Sequence, residues 1–478
     1  MIRFPVGLLL ALALLLACPA GAAAQAPQIS TTPGLFPAFS QSVTDYVVRC
    51  QPSNQVQVSV AAPAGVDVSV DNGPPQSGNF TQMVALSAGQ RFTIGVTESG
   101  QTTTSFIRCL ASDFPAFTAT RSGPTQAQWY VMTPNLYWPP SGVSPSYVAF
   151  FDNNGVPVWW MRSPGNTVPI DAKLLPNGDV TWLHSFPSTP GMEEHRLDGS
   201  LVRTLKTVGT ATDQHDVRLL ANGNYLLGRL FTRNGVDMSA CGGSTSRTLV
   251  DFELQELTPG GALVWAWRAS DHIPLSEVSP KWRSYCNSSG DVYHWNAVAP
   301  DGTGYVLSFR QLDAVYRIDR ATGAIDWKLG GVPRPESLTV IGDPLSAVST
   351  FGGEHDVSVL GDGTVTVFDD GSGYNRRPRA VRFAIDPTAR TATLLESLTN
   401  SNVSYSSCCG SARKLPGGNW VTSWGSNRPV TEQTATGATV FRLTWSQALF
   451  SYRANPVLPG QVSAAALRAG MDAQFPRP

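Results

Sequence analysis

Residues 355–363, His-Asp-Val-Ser-Val-Leu-Gly-Asp-Gly, decide the fold of this chain, because a similar segment returns several times along the sequence. Each copy is a short apolar strand that ends in a glycine turn, after which a second strand begins. The other copies occupy residues 171–178, 215–223, 294–302 and 411–418. Consecutive turn glycines are about 45, 80, 60 and 55 residues apart. Such a repeat is typical of the four-stranded blades of a β-propeller.

The number of blades follows from the five repeats plus one composite blade. The segment before residue 165 and the C-terminal strand Phe441–Trp445 would form the sixth blade together. This closure would remove the exposed sheet edges. We therefore predict an all-β fold with a six-bladed β-propeller, and a ring of seven blades is the alternative. Residues 232–250 and 270–292 are insertions that we expect to form loops at the rim.

Three of the six histidines share one position in the repeat. His215, His294 and His355 each stand eight residues before the turn glycine of their copy, where the first and fifth copies have Ile170 and Gly410. Innermost propeller strands line the axial channel, so the three imidazoles should converge there. The other three histidines are off this register and are expected to be structural or surface residues: His184, His195 and His272.

Two further polar residues are predicted to join the imidazoles. Period-two alternation places Asn296 on the same strand face as His294. Arg310 lies eight residues after the turn glycine of that copy, so in a hairpin it sits opposite or diagonal to His294. Asp216 and Asp356 directly follow their histidines and should point away, where they would stabilise backbone turns. The spacing therefore does not predict an aspartate that orients each histidine.

A channel that holds His215, His294, His355, Arg310 and Asn296 suits a small tetrahedral oxyanion, such as a sulfuryl or phosphoryl group. Arginine presents a planar fork to two oxygens. Asparagine and protonated histidine add directed hydrogen-bond donors. A neutral histidine can also act as a nucleophile and accept the group covalently. Transfer in two steps would let one site serve a donor and an acceptor in turn.

The composition argues against several classes of protein. The 478 residues carry 34 Lys and Arg against 35 Asp and Glu, and this balance argues against a nucleic-acid binder. The 44 Gly and 36 Pro argue against a mostly helical chain, because both residues break helices. After the first 26 residues no apolar run is long enough to predict a transmembrane helix.

Residues 1–26 are predicted to be a signal peptide. Leu8–Cys18 is an apolar run of signal-peptide length, and Ala22–Ala24 provides a cleavage site of small residues. Leu15–Cys18 also resembles a lipobox, so a lipid anchor at Cys18 is the alternative to ordinary cleavage. Either route predicts export to the periplasm, the cell surface or the medium.

The cysteines agree with export. Six remain beyond Cys18, and an even number in an oxidising compartment predicts disulfides. Sequence alone leaves every pairing open, but Cys50–Cys109 is favoured because these residues bracket the N-terminal region. Cys241–Cys286 and the adjacent Cys408–Cys409 are the simplest remainder.

Residues 29–112 predict a small β-sandwich ahead of the propeller, which would occupy residues 113–478. Val56–Val60 and Val66–Val70 alternate with period two, and turn signals separate such strands. Pro33–Tyr46 resembles the start of a bacterial cadherin-like sandwich module.

Several motifs, taken in order, resemble the bacterial arylsulfotransferase family over about residues 113–470. They are Asp213-Gln-His-Asp216, His294-Trp-Asn296, Ser308-Phe-Arg310, Trp327-Lys-Leu-Gly-Gly331, Gly353-Glu-His-Asp-Val357 and Phe368-Asp-Asp-Gly371. The resemblance implies a six-bladed propeller behind a β-sandwich. It also implies that a sulfuryl group passes from a phenolic sulfate ester to another phenol without PAPS.

The resemblance assigns roles to individual residues. His355 matches the nucleophile that becomes transiently sulfated, and His215, His294, Asn296 and Arg310 match the residues that hold the sulfuryl oxygens. No metal and no cofactor are implied. The implied partners are phenolic sulfates and phenols, and a homodimer is left open.

Three other functions stay open at this level. Three converging imidazoles could bind a divalent metal in a hydrolase, although Arg310 nearby would repel the ion. A non-catalytic exported propeller could bind a partner at the cell surface or in the matrix. Water could accept the sulfuryl group, as in a sulfatase.

Overall fold

The computed structural model describes residues 26–50, 52–136, 146–163, 167–185, 191–446 and 449–477, together with Met1. The predicted signal peptide, with Cys18, therefore lies outside the described residues except at its two ends. Among the described residues, no helix is long and apolar enough to cross a membrane.

Nine strands form two packed sheets at the N-terminus. Their bounds are β1 Gln28–Thr32, β2 Leu35–Phe36, β3 Asp45–Arg49, β4 Gln55–Ala61, β5 Val66–Val70, β6 Gln76–Ser77, β7 Asn79–Ala85, β8 Arg91–Glu98 and β9 Gln101–Leu110. One sheet has the order β1-β4-β7 and the other β2-β3-β9-β8-β5-β6. The alternate valines of β4 and β5 are buried in one shared core, which explains the period of two in the sequence.

The next strands begin the propeller. Their bounds are β10 Phe117–Arg121, β11 Trp129–Leu136, β12 Tyr147–Asp152, β13 Pro157–Arg162, β14 Pro169–Leu174, β15 Val180–His184, β16 Met192–His195, β17 Leu201–Leu205, β18 Thr212–Leu219, β19 Tyr225–Val236, β20 Arg247–Leu257 and β21 Leu263–Arg268. Strands β14 to β17 form blade 1 and strands β18 to β21 form blade 2, each in simple antiparallel order.

The remaining elements complete the ring. Their bounds are β22 Trp295–Asp301, β23 Gly304–Phe309, β24 Ala314–Asp319, β25 Ile325–Gly330, β26 Thr339–Ile341, β27 His355–Val359, β28 Val365–Asp369, β29 Arg379–Asp386, β30 Thr391–Leu398, β31 Ser411–Lys414, β32 Trp420–Ser423, β33 Pro429–Gln433, β34 Thr439–Trp445, β35 Leu449–Val457 and the helix α1 Ala464–Gln474.

Six sheets make six blades. Blade 3 is β22-β23-β24-β25, blade 4 is β27-β28-β29-β30-β26, blade 5 is β31-β32-β33-β34-β10 and blade 6 is β35-β11-β12-β13. The inner strands β14, β18, β22, β27, β31 and β35 each contact the next one, and β35 contacts β14 again. The predicted six-bladed propeller is therefore confirmed.

The closure of the ring differs from the prediction in one respect. The C-terminal strand in the sixth blade is β35, not Phe441–Trp445, and it pairs with β11. Residues 441–445 lie in β34 of blade 5, where β10 adds a fifth strand. The prediction took the wrong strand because β34 and β35 are both apolar, so the sequence pattern does not distinguish them. Strand pairing places β35, rather than β34, on the axis.

The first rim insertion is more regular than expected. Strands β19 and β20 continue pairing as far as Val236 and Arg247, so much of residues 232–250 is an extended hairpin rather than a loop. Residues 270–292 carry short 3-10 turns, including Leu275–Glu277 and Arg283–Cys286.

A hydrogen bond made by a side chain links each pair of consecutive inner strands. These bonds are Lys173 Nζ to Val217 O, Val298 N to Asp216 Oδ2, Asn296 Nδ2 to Glu354 O, Ala412 N to Asp356 Oδ2, Ala454 N to Ser411 Oγ, and Asn455 Nδ2 to Ala172 O, all between 2.8 and 3.1 Å. Asp216 and Asp356 thus point away from the histidine cluster, as predicted, and join neighbouring blades.

Arg453 of β35 fills the axis at the level of these aspartates. Its guanidinium nitrogens lie 3.0 Å from Asp171, 3.2 Å from Asp216 and 3.2 Å from Asp356, and all four side chains are fully buried. Burial opposes ionisation of Asp216, but Arg218, Lys173 and Arg453 hold its pKa well below the usual value. Arg453 and these three aspartates, here called the axial plug, separate the end of the channel that holds the histidines from the end that holds the glycine turns.

All three predicted disulfides are present: Cys50–Cys109, Cys241–Cys286 and Cys408–Cys409. The second one joins the two rim insertions. The C-terminal helix contacts blade 6 and bonds the sandwich, since Asp472 pairs with Arg91 and Arg108 while Arg468 pairs with Asp45.

Candidate active site

The three register histidines lie at the same end of three consecutive inner strands. In β18, β22 and β27 the strand pairing is irregular beside the histidine, with shifts between Thr212 and Val217, between Trp295 and Ala297, and between His355 and Ser358. A bulge of this kind redirects side chains. It turns the imidazoles into the channel mouth.

These histidines line a cavity of about 420 Å³ at one end of the axis. His215, His294, Arg310 and His355 all belong to its wall, so the structure brings four of the five predicted residues together. The rings of His215 and His294 are 4.9 Å apart between centroids. The rest of the wall combines aromatic and aliphatic side chains with polar ones. The former are Val168, Ile170, Tyr285, Phe450 and Tyr452, and the latter are Asn135, Ser185, Gln214, Ser289, Asp291 and Gln311.

Asn296 is the residue that the structure does not bring to the cavity wall. Its Nδ2 donates to Glu354 O at 2.8 Å, and its Oδ1 accepts from Asp356 N at 3.2 Å. Both amide atoms are therefore engaged with the backbone of the next blade. The bulge after Trp295 breaks the period of two on which its predicted position beside His294 depended.

Each site histidine has a carboxylate beside its Nδ1, which the sequence analysis missed. Asp213 Oδ1 lies 2.7 Å from His215 Nδ1, Asp291 Oδ2 lies 2.6 Å from His294 Nδ1, and Asp370 Oδ2 lies 2.8 Å from His355 Nδ1. Hydrogen bonds of this kind orient the imidazoles of His215 and His294 and fix their tautomers. The Nδ1 of His355 instead donates to Gly353 O, and neither Asp370 oxygen has a hydrogen-bond partner among the described residues. Burial raises the pKa of Asp370 well above its usual value.

These aspartates share no common offset from their histidines. Asp213 precedes His215 by two residues, Asp291 precedes His294 by three, and Asp370 follows His355 by fifteen. Two signals were available in the motifs that carry the family resemblance: Asp213 lies two residues before His215 on the same strand, and Asp370 belongs to the Asp369-Asp370 pair.

His355 is held in the tautomer that leaves the lone pair on Nε2. Its Nδ1 lies 3.0 Å from Gly353 O, and a carbonyl can only accept, so Nδ1 carries the proton. Nε2 accepts from Cys409 N at 3.3 Å. Burial, with Arg310, His215 and His294 nearby, lowers the pKa of His355 well below the ordinary 6.5. The imidazole is therefore neutral near pH 7.

Gly353 makes this arrangement possible. Its φ of +79° suits glycine, and an added Cβ would lie 2.7 Å from Ser372 Oγ and 3.3 Å from the Trp282 ring. A side chain there would displace the carbonyl that holds His355.

Arg310 faces His294 across a hairpin, because its backbone N donates to His294 O at 3.0 Å. Its guanidinium lies 4.3 Å from the centroid of the Trp282 ring, and Nη2 donates to Ser407 O at 3.0 Å. Nε is buried and has no hydrogen-bond partner among the described residues. A guanidinium with spare donors suits an anionic ligand.

The off-register histidines lie elsewhere. His195 stacks on Trp182 and, with His184, contacts Glu193. His272 stacks on Trp267. None of the three belongs to the cavity wall. In the described part of the chain, no group of three or more His, Cys, Asp or Glu side chains has the geometry of a metal site.

The fold and the cavity together define a six-bladed propeller with three histidines and an arginine in a cavity at one end of its axis. The family model described as arylsulfotransferase (ASST) matches residues 122–453, more than half of the chain. The protein therefore belongs to the arylsulfotransferase family, whose membership supports aryl sulfotransferase activity. No curated protein matches this chain in sequence.

Solved structures with a similar fold are distant in sequence. A protein of unknown function from Bacteroides caccae is 11% identical, with a TM-score of 0.43 over 69% of this chain and 99% of its own. A putative 6-phosphogluconolactonase from Bacteroides uniformis is 12% identical, with a TM-score of 0.36 over 69% of this chain and 100% of its own.

Proposed function

We propose that this protein transfers a sulfuryl group from a phenolic sulfate ester to a phenol, without PAPS, through a sulfated His355. The observation that carries the proposal is the state of His355. Its Nδ1 donates to Gly353 O, which leaves the lone pair on Nε2, where it accepts a 3.3 Å hydrogen bond from Cys409 N. The side chain lines a cavity whose wall also holds Arg310 and two further histidines. A neutral buried imidazole beside anion-binding groups is a suitable nucleophile.

In the first step, Nε2 of His355 attacks the sulfur of the aryl sulfate. The N–S bond forms as the S–O bond to the phenol breaks, and the electron pair leaves on the phenolate. His215 or His294, when protonated, gives a proton to that oxygen. Asp370, whose pKa burial raises well above its usual value, lies beside Nδ1, and its ionised form stabilises the positive charge that the sulfated imidazole gains.

In the second step, a phenol enters and the same histidine takes its proton. The phenol oxygen attacks sulfur, the N–S bond breaks, and its electron pair returns to Nε2 of His355. Asp213 and Asp291 keep His215 and His294 oriented through both steps. General acid–base catalysis of this kind contributes about 10²–10⁴ in rate.

Arg310, which belongs to the cavity wall, holds the sulfuryl oxygens. The apolar part of the wall, which includes Tyr285, Phe450 and Tyr452, suits a phenyl ring. Asn296 acts in this scheme as a positioning residue that fixes the backbone before His355.

The test is intact-protein and peptide mass spectrometry after a rapid quench with p-nitrophenyl sulfate. We expect a gain of one SO₃ on the peptide that contains His355, with release of one p-nitrophenolate per site. The gain should vanish in His355→Asn and persist in His272→Asn, a matched control that is stacked on Trp267 away from the cavity. Absence of the adduct with active protein would overturn the covalent mechanism.

The acceptor and the alternatives are resolved in the same assay. Turnover that rises with added phenol supports transfer, whereas turnover independent of phenol indicates a sulfatase. Loss of activity in EDTA would support the metal-dependent hydrolase. No turnover with any aryl sulfate would favour the binding module.

We also propose that the protein is exported. The signal-like first 26 residues and three disulfides agree with an oxidising compartment. Fractionation of the native host, with mass analysis of the mature N-terminus, separates a periplasmic or secreted form from one lipidated at Cys18.

A further inference from the structure

The loop of residues 406–410, here called the disulfide loop, leads into the inner strand of blade 5. It contains the Cys408–Cys409 disulfide, and both cysteines are buried in the cavity wall. The repeat position that carries a histidine in blades 2, 3 and 4 is Gly410 in blade 5. Blade 5 therefore approaches the site with backbone groups instead of an imidazole.

The closest of these groups is the backbone N–H of Cys409, which donates to His355 Nε2 at 3.3 Å. This nitrogen belongs to the peptide bond between the two cysteines. The disulfide closes that same peptide bond into a small covalent ring, in which it cannot rotate as it would in an open chain. The direction of the N–H is thus set by a covalent constraint.

The opposite side of the peptide is anchored as well. Cys408 O accepts from Ser406 Oγ at 2.9 Å and from Ser426 N at 3.0 Å. Cys409 has a φ of +70°, a left-handed conformation that an open L-residue chain seldom holds. Arg310 Nη2 also donates to Ser407 O in the same loop. One loop therefore places a donor on the nucleophile and orients the guanidinium beside it.

Building on the function proposed above, we infer that the Cys408–Cys409 disulfide is a positioning element of the transfer site. It aims the Cys409 N–H at Nε2 of His355 in the resting enzyme. When Nε2 carries the sulfuryl group, its lone pair is used, and the same N–H is free to donate to a sulfuryl oxygen. The oxidised loop is the active form.

Reduction removes this constraint. Two electrons and two protons from a dithiol convert the S–S bond to two thiols, and the dithiol becomes a disulfide. The peptide between the cysteines can then rotate, so His355 Nε2 loses its donor and binds a proton more readily. The charged and titratable groups around His355 are Arg310, His215, His294, Asp370 and Tyr452, and they remain in place.

The first experiment reads His355 without relying on activity. Protein labelled with ¹⁵N-histidine is compared by NMR as wild type and as the double variant Cys408→Ser with Cys409→Ser, with the His355 signal assigned through His355→Asn. We expect the variant to bind a proton on His355 at higher pH than wild type. The matched control, Cys50→Ser with Cys109→Ser, removes a distant disulfide in the sandwich and should leave that signal unchanged.

The second experiment measures the rate of phenolate release in the first turnover. We expect the double variant at residues 408 and 409 to be slowed about ten-fold, the usual value of one hydrogen bond, with little change in KM. Wild type treated with dithiothreitol should slow equally and recover on reoxidation. Alkylation mapping verifies which cysteines were reduced. If the double variant does not fold, the reduced wild type still tests the inference.

The two experiments separate the two proposals. An unchanged His355 signal in both the variant and the reduced wild type overturns the inference about the disulfide, whatever the activity. A shifted signal in a protein that never forms a sulfated histidine supports the disulfide inference and overturns the proposed function. A shifted signal with slowed first-turnover release supports both.

Discussion

The Asp370 carboxylate lies 2.8 Å from Nδ1 of His355, and both side chains are almost completely buried. The pair spans β27 and the end of β28 in blade 4, so neighbouring strands bring together residues that are fifteen positions apart. The carboxylate faces the ring nitrogen opposite the one that attacks. It therefore acts on the charge of the sulfated imidazole rather than on the substrate.

Replacing Asp370 with Asn should lower kcat by roughly 10²–10⁴-fold, because the amide cannot ionise to balance the charge of the sulfated imidazole. Steady-state kinetics with p-nitrophenyl sulfate and phenol measure this. Asp362→Asn is the matched control, since Asp362 is an exposed turn residue of the same blade. Equal activity of the two variants would contradict the role of Asp370.

Replacing Arg310 with Lys should lower kcat/KM by about 10²–10³-fold, since an ammonium cannot present two donors to the sulfuryl oxygens. Arg317→Lys in β24 is the control, because Arg317 pairs with Asp301 away from the cavity. If Arg310→Lys retains full kcat/KM, the guanidinium does not hold the transferred group.

The lowered pKa of His355 predicts how stability depends on pH. In the unfolded chain His355 takes a proton near pH 6.5, but in the folded protein it does so only at lower pH. Stability is thus lost as pH falls below 6.5, by at most about 1.4 kcal/mol per pH unit from this group. Urea unfolding is measured at about pH 7.5 and about pH 5.5. Between these two values, wild type should lose more free energy of unfolding than His355→Asn. Equal losses of stability in wild type and His355→Asn would mean that folding does not lower the pKa of His355.

The axial plug predicts a large effect on folding. Arg453→Met leaves the buried carboxylates of Asp171, Asp216 and Asp356 without their shared cation, and should lower the free energy of unfolding by about 3–5 kcal/mol. Arg162→Met, which breaks the exposed pair with Asp113, should cost at most about 1 kcal/mol. Similar losses in urea denaturation would argue that the plug is no stronger than a surface pair.

Much of this site could be predicted because propeller repeats keep their register. A histidine at one offset from a turn glycine is carried to the same end of each inner strand, so His215, His294 and His355 were predicted together. The hairpin centred on residue 302 placed Arg310 across from His294 by the same counting. The three disulfides followed from an even number of cysteines and from their order along the chain.

Period-two counting failed where the inner strands bulge. At the bulge of β22, Asn296 turns to the next blade instead of the cavity.

The amino-acid sequence by itself determined the repeat, the all-β class and the register that His215, His294 and His355 share, because these depend on local spacing and composition. The tertiary structure decided which strand closes the ring, that Asp370 lies beside His355, and how the disulfide loop directs a backbone N–H at His355. These contacts join residues on different strands or blades, and no local pattern records the distance between them.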